Sequence, residues 1–70
     1  MEAQEFTASA GGGVVSATVN GKKELTKLSI QPDAVDPQDV EMLEDLILSA
    51  VNEAIRQADS AMNTAMNSFT

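Results

Sequence analysis

A long stripe of apolar residues at helical spacing occupies the second half of the chain and limits which folds it can adopt. The apolar positions recur every three or four residues, the period of one helix face: they are Val40, Leu43, Ile47, Val51, Ala54, Ala58, Ala61, Ala65 and Phe69. Asp36 suits the N-cap and Pro37 the first helical position. The pattern therefore predicts a helix over residues 37–69, which would be about 50 Å long at about 1.5 Å per residue.

Three short segments before this helix have the composition of strands. They cover residues 4–9, 14–19 and 25–30, and the second is rich in β-branched residues. Three glycines separate the first two segments, and Asn20–Gly21 follows the second, a hairpin signal because both residues tolerate positive φ. Strands of this length span only about 20 Å, so the sheet cannot cover the whole helix. We predict a single α+β domain over residues 1–70, with a three-stranded antiparallel sheet followed by one long C-terminal helix.

The register of the second hairpin can be predicted from its apolar residues. A four-residue loop pairs Val15 with Leu28 and Ala17 with Thr26. This pairing places the apolar side chains of both strands on one face. A three-residue loop would instead place Val15 opposite Lys27. The pattern therefore favours the four-residue loop.

The small size of the chain favours self-association. Seventy residues without a cysteine or a histidine leave no disulfide or thiolate metal site to stabilise a small core. Oligomerisation is the remaining means, and we predict a homodimer. The candidate interface residues lie on the helix stripe: Val51, Ile55, Ala58, Met62 and Met66.

Charge gives two competing indications about partners. Eleven acidic residues against four basic ones give a formal net charge of −7, which by itself opposes binding to phosphates. Lys22, Lys23 and Lys27 nevertheless form one basic cluster. They can be a solvated turn whose charge discourages edge pairing, or phosphate contacts that the symmetry of a dimer doubles.

Several function classes find no support in the residues. No histidine can act as a base for a nucleophile, and the glycine triplet precedes a strand rather than the helix that a phosphate loop requires. Glu41, Glu44 and Asp45 are best explained as a solvated helix face. We therefore expect a protein that is not an enzyme, with no catalytic residue, cofactor, metal or small-molecule substrate. No apolar run approaches the roughly 18 residues that span a membrane, and no signal peptide is visible, so we expect a cytoplasmic protein.

The order and spacing of these motifs resemble those of the YbaB/EbfC family of bacterial nucleoid-associated proteins. The motifs are the segments 9–15 with the glycine triplet, 18–22 with the Asn-Gly hairpin, and 33–46 with the acidic start of the helix. The resemblance extends from about Glu5 to about Ala58. It implies a homodimer with an α+β fold that binds duplex DNA and belongs to the nucleoid.

The basic residues of this chain are the local candidates for the DNA contact that the resemblance implies. Family members typically carry a charged helix before the first strand, whereas this chain begins at Met1, almost at the strand. The candidate DNA contacts are then Lys22, Lys23, Lys27 and Arg56. No base-reading motif accompanies them, so we expect sequence-tolerant binding. The alternative is an acidic dimerisation or protein-interaction module with no direct DNA contact.

Overall fold

A computed structural model describes residues 4–67 of the chain and the side chains of residues 4–63. In chain order the elements are β1 (Glu5–Ala10), β2 (Val15–Asn20), β3 (Leu25–Ile30), a 3₁₀ turn (Pro32–Ala34) and α1 (Val40–Asn67). The strands form one antiparallel sheet in the order β1-β2-β3. The predicted α+β fold, a three-stranded antiparallel sheet followed by one long helix, is confirmed.

The helix begins three residues later than predicted, because Asp36 closes a turn instead of capping α1. The Asp36 carbonyl accepts a hydrogen bond from the Asp39 N–H at 2.9 Å, and its Oδ1 accepts one from the Gln38 N–H at 2.9 Å. The N-cap is Asp39, whose Oδ1 accepts from the Met42 N–H at 3.2 Å. Either aspartate can satisfy orphan N–H groups, and the sequence alone does not decide between them. The predicted end of the helix at residue 69 lies outside the described residues.

Small side chains bring the helix close to the sheet. The helix packs across β1 and β2, and its alanines at positions 50, 54 and 58 are fully buried there. The inward residues of β2 are fully buried beneath them: Val15, Ala17 and Val19. Larger apolar side chains, among them Leu43, Leu46 and Ile47, pack around this centre. The core is therefore thin and aliphatic, as expected for a chain with only two aromatic residues.

The predicted pairing of β2 with β3 is wrong by two residues. The structure pairs Val15 with Ile30 and Ala17 with Leu28. The turn is closed by the Asn20 N–H, which donates to the Glu24 carbonyl at 3.0 Å. This closure shifts the pairing by one residue from the prediction, and a shift of one residue alone would turn the apolar side chains to the wrong face.

A β-bulge in β3 supplies the second residue of the shift. Val19 pairs with Leu25 and Thr18 pairs with Lys27, so Thr26 is the extra residue. Its Oγ1 donates to the Thr18 carbonyl at 3.2 Å. The bulge restores the apolar face that the turn would have inverted, which explains why the predicted face is right although the predicted partners are wrong.

The bulge also leaves an apolar strip on β3 without a cover. Leu25, Leu28 and Ile30 pair with buried residues of β2 and so share the face on which α1 lies. The helix packs on β1 and β2 rather than over β3. Leu25 and Leu28 consequently remain 48% and 42% exposed, respectively.

The helix extends past the sheet, as the sequence predicted. The molecule measures 51 × 18 × 16 Å along its principal axes. Ala58 is the last fully buried helix residue among the described side chains, and Met62, one turn later, is 46% exposed. The described side chains of α1 that follow Ala58 therefore gain little from the core of their own chain.

Candidate nucleic-acid interface

The turn that carries Lys22 and Lys23 is organised by the side chain of Asn20. The Oδ1 atom of Asn20 accepts hydrogen bonds from the N–H groups of Lys22 at 2.9 Å and Glu24 at 3.0 Å. Its Nδ2 donates to Glu24 Oε1 at 2.9 Å, and its carbonyl accepts from the Lys23 N–H at 2.9 Å. One asparagine thus binds three consecutive backbone N–H groups and holds the two lysines in a defined turn.

The strained position of this turn is a lysine and not the glycine that the sequence suggested. Lys23 has φ of +66°, whereas neither Asn20 nor Gly21 has a positive φ. A side chain in the left-handed region costs roughly 1–2 kcal/mol. The hairpin prediction is right in place, but its explanation through positive φ at Asn20–Gly21 is wrong. The turn forms because the hydrogen bonds of Asn20 offset the strain at Lys23.

Two of the four candidate DNA contacts are paired with carboxylates of α1. The Nζ atom of Lys23 forms an ion pair with Asp59 Oδ1. The Nε and Nη2 atoms of Arg56 donate to Glu53 Oε1 at 3.0 and 2.7 Å. Glu53, Arg56 and Asp59 follow one another at intervals of three residues, which makes them neighbours on the helix surface. We call these four residues, Lys23 included, the charge ladder.

The other two lysines flank the charge ladder. Lys22 is exposed in the turn. Lys27 pairs across the strands with Thr18 and so lies on the outer face of the sheet, away from α1. That outer face is polar, and Thr7 and Thr18 share a hydrogen bond there between their Oγ1 atoms at 2.8 Å. The structure therefore gathers Lys22, Lys23 and Arg56 at the turn and helix, with Lys27 on the adjoining sheet face.

Most of the acidic charge lies at the opposite end of the sheet. Six of the eleven acidic residues fall between residues 33 and 45: Asp33, Asp36, Asp39, Glu41, Glu44 and Asp45. This segment lies near the glycine turn, where the Gln31 N–H donates to the Val14 carbonyl at 2.8 Å. The turn with the two lysines lies one strand length away, about 20 Å. The lysine end also carries Glu5, Glu24, Glu53 and Asp59, which balance its four bases. The sheet therefore has one strongly negative end and one nearly neutral end, which the net charge of −7 does not reveal.

The candidate interface residues on the helix differ in their availability. Val51 and Ile55 are half-buried at the margin of the core, and Met62 is exposed. Ala58 is fully buried within its own chain, so it belongs to the core and is not available to a second copy. The side chain of Met66 lies outside the described side chains.

Sequence reasoning missed several apolar residues that are exposed on β3 and α1. The predicted pairing places Leu28 on a covered face without Leu25, and the i, i+3 spacing of these two leucines gives no sign that a bulge would align them. Leu48 is 59% exposed on α1 and precedes Ile55 and Met62 by one and two heptads. Heptad spacing is the signal that could have identified this flank of the helix.

Two further observations concern other kinds of site. Within residues 4–67 no group of three or more acidic residues lies close enough together to hold a metal ion. The same part of the chain contains no helix with the length and hydropathy needed to cross a membrane.

Comparison with known proteins gives a consistent set of relatives. The sequence profile of the YbaB/EbfC DNA-binding family matches residues 1–70. Nucleoid-associated proteins of Clostridium acetobutylicum and Clostridium botulinum are 57% and 54% identical over all 70 residues, which make up 62% of each relative's length. One from Lachnospira eligens is 54% identical, with 60% of its length covered. The chain therefore spans less than two thirds of these relatives.

A solved structure shares the fold. An uncharacterized protein from Helicobacter pylori superimposes with a TM-score of 0.86 at 25% sequence identity. The match covers 99% of this chain and 80% of that protein. The arrangement of three strands and one long helix thus recurs in an experimentally determined relative.

Proposed function

Because the chain belongs to the YbaB/EbfC DNA-binding family, we propose that it is a nucleoid-associated, non-enzymatic protein that binds duplex DNA as a homodimer with little sequence preference. The observation that carries the proposal is the polarised charge. The four basic residues lie on the lysine turn, on β3 beside it and on α1, where four carboxylates balance them, whereas six acidic residues and no basic one lie at the other end. At physiological salt, charges more than about 8 Å apart are largely screened. Phosphates at the turn are therefore little affected by the acidic end about 20 Å away.

The proposed contacts read the DNA backbone and not its bases. Lysine and arginine contacts to phosphates fix position and carry no sequence information. Lys22 and Lys27 are both exposed, and a homodimer presents each of them twice. Binding should thus depend steeply on salt and should be similar on unrelated duplexes.

Titration of two unrelated duplexes at several salt concentrations tests this proposal. The wild-type protein should bind both with similar affinity, and a variant with Lys22, Lys23 and Lys27 all changed to Gln should bind more weakly. Each phosphate contact removed should reduce the slope of log K against log salt by about 0.9. Circular dichroism of the variant must show an intact fold. An intact variant with unchanged affinity and slope would contradict a role for these lysines.

The uncovered apolar strip on β3 supports a homodimer. Leu25 and Leu28 are exposed beside half-buried Ile30. On α1, Leu48, Ile55 and Met62 form an apolar flank at heptad spacing. The ion pair between Lys23 and Asp59 joins the β2–β3 turn to this helix, and Ile30 packs on the same core cluster as Val51. A second copy that covers both surfaces would bury the apolar residues that a single chain leaves in water.

Leu28→Asp tests the interface without disturbing the core. Because Leu28 is exposed in the single chain, the variant should fold and sediment as a monomer of about half the wild-type mass. Val51→Asp is a contrasting variant. Because Val51 packs against the core cluster, this substitution should unfold the chain and not only dissociate the dimer. A folded Leu28→Asp protein that remains dimeric would exclude this strip from the interface.

One observation favours the alternative of an acidic protein-interaction module. Lys23 and Arg56 are already paired with carboxylates of the same chain. If these ion pairs persist and Lys22 and Lys27 are too few to bind DNA, the protein binds a partner other than DNA. No measurable binding to either duplex at low salt, from a folded dimer, would support this alternative.

A further inference from the structure

The charge ladder places carboxylates where phosphates would have to bind. Glu53 Oε1 accepts from both Nε and Nη2 of Arg56, and these are the guanidinium donors that a phosphate would otherwise use. Asp59 holds the ammonium group of Lys23 in the same way. Two carboxylates and two cations therefore form a surface with no net charge in the middle of the proposed DNA-binding region.

All four side chains are accessible to an incoming phosphate. The exposed fractions are 45% for Lys23, 47% for Asp59, 66% for Arg56 and 47% for Glu53. Ion pairs this exposed are weak in water, so DNA can displace them. Displacement leaves the carboxylate unpaired beside the phosphate, where the two like charges repel each other.

We propose that Glu53 and Asp59 set the DNA affinity of this protein by competing with phosphates for Arg56 and Lys23. The inference rests on the proposed DNA binding. Each acidic residue lowers the affinity by holding one identified base, and not only by repelling DNA through its negative charge. The ladder holds the affinity below the value that the basic residues could otherwise reach.

Isosteric neutralisation with a matched control tests the competition. Asp59→Asn and Glu53→Gln each remove one negative charge and release one base. Glu44→Gln removes the same charge from an exposed position on the same helix, and Glu44 has no ion-pair partner among residues 4–67. We expect each ladder variant to bind duplex DNA about two- to fivefold more tightly. The salt slope should steepen by up to about 0.9 for each base that gains a phosphate. Glu44→Gln releases no base, so its DNA affinity should rise only by the small amount that removal of one distant negative charge gives, and its salt slope should stay constant.

A double variant identifies the base through which Asp59 acts. In a chain that already carries Lys23→Gln, the gain from Asp59→Asn should disappear. Equal gains from Asp59→Asn and Glu44→Gln would overturn the inference, and so would a gain that persists without Lys23. Steep, salt-dependent wild-type binding with no gain in the ladder variants would overturn the inference alone. Absence of binding by the wild type and by both ladder variants would overturn the proposed function as well.

Discussion

The turn between β1 and β2 is built from backbone conformation, whereas the turn between β2 and β3 is built from side-chain hydrogen bonds. In the first, Gly11, Gly12 and Gly13 all have positive φ, between +65° and +99°. In the second, Asn20 binds its neighbours and the only positive φ falls on Lys23. In the first turn Gly11 lies against Leu46 of α1, and the three positive φ values leave this turn little freedom in sequence. The second points to solvent and can carry charge, which makes it the turn available for function.

Gly11→Ala should have the largest effect, because Gly11 is constrained by both conformation and packing. A methyl group there would lie 2.8 Å from Val14 Cγ2 and 3.0 Å from Leu46 Cδ2, at φ of +65°. Left-handed strain of about 1–2 kcal/mol and overpacking of about 1–3 kcal/mol should together lower the free energy of unfolding by roughly 2–5 kcal/mol. Urea unfolding at fixed protein concentration measures this loss. A loss below about 1 kcal/mol would show that the glycine turn is not packed as described.

Gly12→Ala separates conformation from packing within the same turn. Gly12 has φ of +75°, but a methyl group there would meet no atom within 4 Å. Only the left-handed strain applies, so the loss should be about 1–2 kcal/mol. The same urea titration provides the comparison. If Gly12→Ala is as damaging as Gly11→Ala, contact with Leu46 does not contribute.

Asn20→Ala tests whether side-chain hydrogen bonds hold the second turn. The substitution removes three bonds made by the Asn20 side chain. Because these bonds are exposed, the net loss should be only about 1 kcal/mol. Chemical shifts of Lys22, Lys23 and Glu24 should change while those of the glycine turn stay constant. A stability equal to that of the wild type, with unchanged shifts, would contradict the role given to Asn20.

Lys23→Gly should have the smallest effect on stability and a clear effect on binding. Glycine relieves the strain at φ of +66°, but it raises the entropy of the unfolded chain by an amount worth about 0.4–1 kcal/mol and removes an exposed ion pair worth at most about 1 kcal/mol. These contributions nearly cancel, so the free energy of unfolding should change by less than about 0.5 kcal/mol. DNA affinity should nevertheless decrease. A marked loss of stability would show that Lys23 is chiefly structural.

The sequence predicted the elements of the fold better than their alignment. The apolar stripe of α1 and the glycine triplet are local signals, and both led to the right elements in the right order. The register of β3 depends on a bulge at Thr26, a residue that is an ordinary strand former and gives no local sign of being left without a partner. The start of α1 was wrong because Asp36 and Asp39 are equally suited to cap a helix.

The candidate site was only partly predictable for a different physical reason. The three lysines were recognised because they are close in sequence. Their partner Asp59 lies on another element, and only the packing of α1 on the sheet brings it to Lys23. Exposure of Leu28 likewise depends on which strands the helix covers. Such relations between distant segments are properties of the folded chain.

The bulge at Thr26 also limits how the length of this segment can vary during evolution. Because side chains alternate between the faces of a strand, one residue gained or lost between Val19 and Leu28 would send Leu28 and Ile30 to the polar side of the sheet. Loss of the bulge also sends Leu28 and Ile30 to the polar side, unless the length of the turn changes by one residue at the same time. Viable insertions and deletions here must therefore come in compensating pairs, one in the turn and one in the strand.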